Sequence, residues 1–203
     1  MSMRNIALFP LRLFFDRVYN PVYKKRLAEI VASLCEENSY ILDFGCSDGC
    51  TAKMIMELKP SLNIVGVDIQ CNGTAQIPAT IYDGKKIPYP DNTFDIVLSL
   101  DVLHHTEEMA SLIEEMKRVS RKYIIIKDHT IYSTYSRWLI GFTDFVSNAP
   151  YGINCAFNFP TPEQWNEMFS KLNLIIIEQP EKHDFGFGIE QRYNPVFKLA
   201  KIV

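Results

Sequence analysis

The sequence predicts an α/β fold of three layers, in which helices cover both faces of a doubly wound sheet of about seven strands. Two observations predict it. Short, continuously apolar segments alternate with helical segments along the 203 residues. Strands buried on both faces of a mostly parallel sheet have this continuous apolar pattern. In addition, an aspartate lies at or just beyond the end of each of the five apolar segments at which we expect a ligand edge, and random placement would not often produce that.

The apolar segments and the helical periodicities define the elements in order. The predicted strands are Tyr40–Phe44, Asn63–Asp68, Thr80–Tyr82, Phe94–Leu100, Tyr123–Lys127, Leu174–Glu178 and Asn194–Ile202. The predicted helices are Lys24–Cys35, one from Ser47 or Asp48 to Leu58, Glu107–Val119, and one that Thr161 caps and Pro162 begins. We expect a single domain over residues 1–203, with an N-terminal helical segment at 1–37 and a helical, aromatic insertion at 131–160.

Composition excludes several classes of protein. A hydrophobic content of 47% with 22% charged residues is typical of a globular chain. The net charge of −3 disfavours a protein that grips nucleic-acid backbone. No apolar run approaches the roughly 18–20 residues needed to span a bilayer. The five cysteines are odd in number and scattered, which favours a reduced, cytoplasmic protein over a disulfide framework.

The first strand end indicates the kind of ligand. Ile41–Gly49 is a strand that runs through a glycine turn into a helix, and Asp68 ends the next strand. A carboxylate there can accept both hydroxyls of a ribose. The glycines Gly45 and Gly49 have the spacing G-x-x-x-G rather than the G-x-G-x-x-G of dinucleotide sites. Asp48 would repel a phosphate at the helix N-terminus, so a cationic nucleoside is favoured over NAD.

The segment around Gly45 resembles motif I of the class I S-adenosylmethionine-dependent methyltransferases, L-D-x-G-x-G-x-G. Val65–Ile69 and Ile87–Ser99 resemble two further blocks, and Leu100–His105 also fits. The second of these blocks is similar to small-molecule enzymes of the ubiquinone/menaquinone methyltransferase type. The resemblance covers roughly residues 25–130. It implies a Rossmann-like, mostly parallel sheet with an antiparallel last strand, and S-adenosylmethionine as the cofactor.

The resemblance also implies cofactor-binding residues. Asp43 and Gly45 would line the methionine end of the cofactor, and Asp68 would hold the ribose hydroxyls. The remaining positions are Ile69 on the adenine, Asp83 and Gly84 at the adenine amino group, Leu100 beside the sulfonium, and the loop residues Cys46, Ser47 and Gly49. For Asp83, an ordinary Asp-Gly turn is the structural alternative.

Two residues of the glycine loop depart from the family pattern. Ser47 stands where the family has its middle glycine, and Asp48 stands where it has a small neutral residue. A negative φ at Ser47 would accommodate the first change. Pairing of Asp48 with the ammonium group of the cofactor would accommodate the second.

Histidines at the later strand ends are the candidates for catalysis. Methyl transfer to oxygen or nitrogen requires an aligned acceptor and, for a hydroxyl, a base, and histidine suits that work. His104, His105 and His129, together with Asp128, are the predicted catalytic residues. His105 as a capping residue and Asp128 as a helix cap are the structural alternatives. Asp101, His104 and His105 also have the spacing of metal ligands on one turn, but we expect no metal.

The insertion at 131–160 is rich in aromatic residues. Ile131, Tyr135, Trp138, Phe142 and Phe145 recur at helical spacing. Packing of this stripe on the domain is one interpretation. The other is a lid over the acceptor, with Asn148–Phe159 as its moving part, which would suit an apolar, aromatic or cationic acceptor. The aromatic segment Phe9–Tyr23 is expected either to cover the same cleft or to touch a membrane surface.

The sequence therefore predicts S-adenosylmethionine-dependent methyl transfer to a small-molecule acceptor, with oxygen or nitrogen slightly preferred. Two alternatives stay open. One is a module that binds the cofactor without catalysis, and the other is a nicotinamide-dependent reductase on a related fold. We expect no nucleic-acid partner, and the sequence predicts no oligomeric state.

Overall fold

Seven strands form one sheet in the computed structural model, which describes residues 10, 13–70, 75–148, 155–180, 185 and 193–202. The strands are β1 (Tyr40–Phe44), β2 (Asn63–Asp68), β3 (Ala79–Ile81), β4 (Phe94–Leu100), β5 (Ser120–Lys127), β6 (Leu174–Glu178) and β7 (Val196–Lys201). Their spatial order is β3-β2-β1-β4-β5-β7-β6. The pairs from β3 to β5 are parallel, and β7 runs antiparallel to both β5 and β6. This confirms the predicted doubly wound sheet with an antiparallel last strand.

Five α-helices accompany the sheet in the described residues: α1 (Asn20–Leu34), α2 (Cys50–Leu58), α3 (Met109–Val119), α4 (Thr134–Asn148) and α5 (Pro162–Lys171). A π-helical turn at Phe15–Tyr19 precedes α1, and a 3-10 turn at Leu103–His105 precedes α3. No helix in the described ranges has both the length and the apolar composition that a membrane span needs.

Two apolar cores, one on each face of the sheet, produce the three layers. Helices α1 and α2 pack on one face, where Val31 and Ile55 meet Ile41 and Ile125 of the strands. Helices α3 and α5 pack on the other face. They contact Leu42 and Ile124, which are next in sequence to Ile41 and Ile125 and point to the opposite side of the sheet. Because successive strand residues point to opposite faces, a continuous apolar run supplies both cores.

The element boundaries follow the local sequence signals closely. Four of the seven strands have the predicted bounds, and the other three differ by up to three residues at an end. Thr161 caps α5, since its side chain accepts from the N–H of Gln164, whose own side chain accepts from the N–H of Thr161. Helix α2 begins one residue beyond the predicted caps, because Gly49 is its N-cap with φ 70°. Asp48 still contributes, since its Oδ1 accepts from the N–H of Cys50 at 3.1 Å.

The aromatic stripe of the insertion does not pack on the domain. Tyr135, Trp138, Phe142 and Phe145 are all more than half exposed on α4, whereas Ser136, Ile140 and Asp144 form its buried face. The packing interpretation is therefore wrong for these four aromatic residues, because the helix turns a polar and partly charged face to the sheet edge, whereas Ile131 of the same predicted stripe is buried. The predicted moving loop lies partly outside the described residues, at 149–154.

The parallel register brings the carboxyl ends of the five strands β1 to β5 to one edge. Phe44 of β1 lies opposite Val67 and Ser99, and Leu100 of β4 lies opposite Lys127 of β5. The antiparallel β7 begins at this same edge, where Val196 pairs with Lys127. Ligands of open α/β sheets bind beyond the carboxyl ends of the strands, so this edge positions the candidate site.

Candidate active site

The loop from Gly45 to Gly49 is held against the end of β2. The N–H groups of Gly45 and Cys46 both donate to the carbonyl of Val67, at 2.8 and 3.2 Å. A Cβ at Gly45 would lie 2.5 Å from Val102, and one at Gly49 would lie 2.6 Å from Ile77. Both positions also have positive φ, so glycine is required there for space and for conformation. The two glycines thus allow the loop to turn tightly against Val102 and Ile77 at this edge of the sheet.

Ser47 has a left-handed conformation, with φ 51°. The expectation of a negative φ at Ser47 is therefore wrong. A residue with a Cβ costs about 1–2 kcal/mol in this region relative to its ordinary conformations. Ser47 thus holds a backbone conformation that glycine would adopt without this cost.

Asp68, the predicted ribose ligand, ends β2 and binds two backbone groups. Its Oδ2 accepts from the N–H of Ser47 at 2.7 Å, and its Oδ1 accepts from the N–H of Gln70 at 3.0 Å. These bonds orient the carboxylate at the rim of the glycine loop. Each oxygen retains a further lone pair, so the arrangement is compatible with a pair of ribose hydroxyls.

Ile69 and Asp83 lie next to this carboxylate, at the ends of β2 and β3. Ile69 is 60% exposed and lies against Gly84, where a Cβ would be 3.3 Å from its Cγ2. An exposed isoleucine beside a glycine offers a flat apolar surface of the kind that an adenine ring covers. The Oδ1 of Asp83 accepts from the N–H groups of Lys85 and Lys86, so this side chain also stabilises its own turn.

Asp43 is a buried carboxylate beneath the glycine loop. Burial, together with the nearby carboxylates of Asp68 and Asp48, raises its pKa to about 7, while Lys24 acts in the opposite direction. A cation bound at this edge would favour the ionised form of Asp43. The surroundings of Asp43 are therefore compatible with a positively charged ligand at the position predicted for the methionine end of the cofactor.

Helix α1 closes over the same edge and contributes two residues that sequence reasoning missed. The Nζ of Lys24 lies 3.3 Å from Oδ1 of Asp48, so the predicted ammonium partner of the cofactor already has a lysine partner. The hydroxyl of Tyr23 donates to Oδ2 of Asp101 at 2.5 Å. The sequence gives no specific signal for them, since Lys24 lies in the basic run Lys24–Arg26 and Tyr23 is one of ten tyrosines.

Lys127 is a fully buried cation at the end of β5, and sequence reasoning missed it too. It forms an ion pair with Asp101 and donates to Oδ1 of Asn194 at 2.9 Å. Its Nζ also lies 5.2 Å from the ring centre of Tyr23 and 5.3 Å from that of Phe185. Asp101, weighed as a metal ligand with His104 and His105, is thus engaged by a lysine and a tyrosine instead.

A cluster of histidines and carboxylates occupies the edge between β4, β5 and α4. The Nδ1 of His104 lies 2.7 Å from Oδ1 of Asp128, and its Nε2 lies 3.3 Å from Oδ1 of Asp144. Asp128 also accepts from the N–H groups of Leu103 and His129, at 2.8 and 2.7 Å. The ring centres of His105 and His129 lie 4.0 and 4.7 Å from that of His104. All four predicted catalytic residues are therefore brought together.

Asp144 is the member of this cluster that sequence reasoning missed. Its Oδ1 also accepts from Nδ2 of Asn148 at 2.6 Å, and the side chain is buried. The available signal was a single acidic residue within the otherwise uncharged stretch Trp138–Asn148.

The electrostatics of the cluster separate its histidines. Burial alone would lower the pKa of His104, but Asp128 and Asp144 together raise it to about 10. Burial lowers the pKa of His129 to about 3, with the positive charges of His104 and Lys127 acting in the same direction. Asp128 is also buried, yet His104 holds its pKa well below the usual range. The cluster therefore contains one charged and one neutral imidazole side by side.

An apolar groove of about 320 Å³ lies beside the cluster. Its lining residues are Arg137, Trp138, Gly141, Phe142, Phe145, Phe157 and Phe159. The ring of Phe159 lies 5.8 Å from that of His104 and 5.6 Å from that of His129, measured between centres. Phe159 thus contacts the polar cluster on one side and the groove on the other.

Comparison with known proteins agrees with the motifs. Residues 42–125 match the family described as "Methyltransferase domain". The malonyl-[acyl-carrier protein] O-methyltransferase of Legionella pneumophila is 29% identical over 89 residues, which cover 39% of this chain and 31% of that protein. The ubiquinone biosynthesis O-methyltransferase of Rhodopseudomonas palustris is 23% identical over 185 residues, or 84% of this chain and 71% of that protein. The chain spans about a third of the length of the first two curated relatives it matches.

Solved structures share the fold at low identity. The [4+2]-cyclase SpnF superposes with a TM-score of 0.65 at 17% identity, over 88% of this chain and 82% of that one. Because that protein is described as a cyclase, the fold alone does not decide the reaction. The motifs, the matched family and the glycine-loop geometry agree on one assignment. This chain contains a methyltransferase domain at residues 42–125, and its motifs resemble those of the class I S-adenosylmethionine-dependent methyltransferases.

Proposed function

We propose that this protein transfers a methyl group from S-adenosylmethionine to an oxygen or nitrogen atom of a small acceptor with apolar or aromatic character. One observation carries the proposal. The glycine loop with Asp68 and the histidine cluster lie on the same sheet edge, joined by the end of β4 at Leu100. A donor in the loop and an acceptor at the cluster would therefore be neighbours.

The residues of the loop suit the proposed cofactor. Gly45 and Gly49 allow the loop to turn tightly against Val102 and Ile77, and Asp68 presents its carboxylate at the loop rim. Asp43 lies beneath the loop, where a cationic ligand would favour its ionised form. When bound, the cofactor supplies an electrophilic methyl group, so the protein's own task is orientation and exclusion of water.

We assign different tasks to the predicted catalytic residues. His104 is a positioning residue, because both of its ring nitrogens face buried carboxylates and its pKa of about 10 keeps it protonated. Asp128 holds that ring. His129 is too weak a base near neutral pH, with a pKa of about 3. His105 remains as the residue that would take a proton from a hydroxyl acceptor, since its half-buried ring lies beside His104.

The apolar groove supports the proposed acceptor class. It is lined mainly by aromatic rings, and Arg137 adds a polar group at its wall. Aromatic walls with few polar groups favour flat or apolar ligands. Because Phe159 touches both the groove and the two histidine rings, an acceptor seated in the groove would have its reactive atom near the cluster.

Thermal unfolding with added ligands tests the cofactor. S-adenosylmethionine and S-adenosylhomocysteine at 100 times their Kd should add about 2.7 kcal/mol, a rise in Tm of roughly 5–10 °C. We expect that rise to disappear in Asp68→Ala and to be absent with NADH. A rise with NADH alone would favour the reductase, and no rise with any ligand would contradict the proposal.

Formation of S-adenosylhomocysteine with a panel of phenols, catechols and arylamines tests the transfer. We expect turnover with at least one acceptor, with a large loss of kcat in His105→Ala. Cofactor binding without turnover on any acceptor would favour the alternative of a binding module without catalysis.

A further inference from the structure

The histidine cluster has the composition and spacing of a metal site. One ring nitrogen each of His104 and His129 and one carboxylate oxygen of Asp144 all lie within 4.8 Å of one another. The three residues come from separate elements, namely the turn after β4, the end of β5, and α4. Their convergence is therefore a product of the tertiary structure and not of neighbouring positions on one helix.

One of the distances between ligand atoms matches a small tetrahedral ion, and the other two lie within 4.8 Å. Zinc binds histidine nitrogen and carboxylate oxygen at about 2.0–2.2 Å, which separates neighbouring ligand atoms by about 3.3–3.5 Å in a tetrahedron. The Nε2 of His104 and Oδ1 of Asp144 lie 3.3 Å apart.

Two buried atoms of the cluster have no hydrogen-bond partner among the described residues. They are Nδ1 of His129 and Oδ2 of Asp144, and Ser99 Oγ elsewhere is the third such atom. Buried polar atoms are nearly always paired in native proteins, because an unpaired one loses its hydration without compensation. Both atoms are potential metal ligands, and they belong to residues that already converge.

The surroundings of His104 also match those of a metal-ligating histidine. Such a residue commonly donates its second ring N–H to a carboxylate, which fixes the ring and makes it a better ligand. Asp128 accepts from Nδ1 of His104 at 2.7 Å and is itself fixed by the N–H groups of Leu103 and His129. Asn148 similarly holds the carboxylate of Asp144.

We infer that His104, His129 and Asp144 bind one divalent transition-metal ion, with Zn²⁺ as the best match to two imidazoles and a carboxylate. The ion replaces the proton on Nε2 of His104, which is released to solvent. Three protein ligands leave a fourth position open, as in zinc sites that take part in chemistry. That position would accept water or, if the proposed methyl transfer is correct, an oxygen or nitrogen atom of the acceptor.

Metal binding can be measured without any acceptor or cofactor. The full chain is dialysed against chelator and titrated with Co²⁺, whose visible absorption reports the coordination number and the ligand type, and then with Zn²⁺. We expect one ion per chain, and a four-coordinate spectrum of nitrogen and oxygen ligands. A spectrum dominated by thiolate ligands, or no saturable binding, would overturn the inference.

Variants assign the ligands. Asp144→Asn and His129→Gln should each weaken Zn²⁺ binding by more than tenfold, and Asp128→Asn by about 10–100-fold through the ring of His104. Asp91→Asn, at an exposed carboxylate paired with Arg118, is the matched control and should bind as the wild type does. If Asp144→Asn fails to fold, His129→Gln still tests the site. Nδ1 of His129 has no hydrogen-bond partner among the described residues, so the substitution removes no hydrogen bond of that atom. Unchanged affinity in His129→Gln would refute the site.

A failure of this inference is distinguishable from a failure of the proposed function. Ion stoichiometry is read with the protein alone, whereas the thermal rise with S-adenosylmethionine tests the glycine loop. A protein that binds the cofactor but not the ion would keep the methyl transfer and lose only the metal.

Discussion

Asp144 on the inserted helix and His104 at the end of β4 face each other across 3.3 Å, although forty residues separate them in the chain. This contact ties the insertion to the sheet edge on which the family motifs lie. The outer face of the same helix carries exposed aromatic rings. One helix thus contributes a buried charge to the cluster and an aromatic wall to the groove.

A double-mutant cycle of His104→Ala and Asp144→Ala should reveal the coupling between these two side chains. Because both are buried and in contact, we expect a coupling energy of about 0.5–3 kcal/mol in chemical denaturation with chelator present. The matched control is the exposed pair Lys122 and Glu36, for which about 0–1 kcal/mol is expected. Additive effects at His104 and Asp144 would contradict the contact.

Replacement of Lys127 by Met should destabilise the protein strongly. The change leaves the partly buried carboxylate of Asp101 without its cation and Asn194 without its donor, at a cost of about 3–5 kcal/mol in the free energy of unfolding. Lys122→Met removes an exposed ion pair and should cost at most about 1 kcal/mol. Urea denaturation compares the two variants, and equal losses in the free energy of unfolding would contradict the buried ion pair of Lys127.

The stability of the ligand-free protein should fall as Asp43 ionises. Its folded pKa of about 7 exceeds the ordinary value of 3.8, so its contribution is greatest below pH 3.8 and is lost as pH rises through 7. At 1.36 kcal/mol per pKa unit the difference is on the order of 4 kcal/mol. Asp43→Asn, which cannot ionise, should become more stable relative to the wild type between pH 4.5 and 7.5, as followed by denaturation at several pH values. Parallel pH profiles would refute the raised pKa.

Glycine at position 47 should stabilise the fold. Ser47 has φ 51°, and glycine removes the cost of that conformation while adding freedom to the unfolded chain. The net gain should be about 0.5–1 kcal/mol in the free energy of unfolding. Ser47→Ala retains the strained φ and serves as the control. A Ser47→Gly protein less stable than Ser47→Ala would contradict the cost assigned to this conformation, since alanine keeps a Cβ at the same φ.

Much of the fold could be predicted because its signals are local. The run Ile41–Phe44, the apolar residues before Asp68 and the capping box at Thr161 each report on their own segment. A strand buried on both faces needs apolar residues whatever its neighbours are, and an N-cap needs only the next three residues. The ordered motifs at Gly45, Asp68 and Leu100 likewise lie at strand ends that the elements define.

The roles of the charged residues could not be predicted in the same way. The pairs of Tyr23 with Asp101 and of His104 with Asp144 join segments that are distant in the chain. Neither residue type nor spacing reports such contacts, because they depend on how α1 and α4 pack over the sheet edge. The exposure of the aromatic face of α4 could not be predicted for the same reason. Helical periodicity identifies which residues share a face, but not whether that face packs on the sheet or is exposed to solvent.

The sequence by itself therefore determined the strands, the helices, the glycine loop and the family to which its motifs belong. The tertiary structure alone decided which charges are buried together, because burial and pairing arise from contacts between distant segments. From its residue type alone, the side chain of His104 could have been an exposed base or a buried cation. Its position between Asp128 and Asp144, within an apolar edge closed by α4, made it the latter.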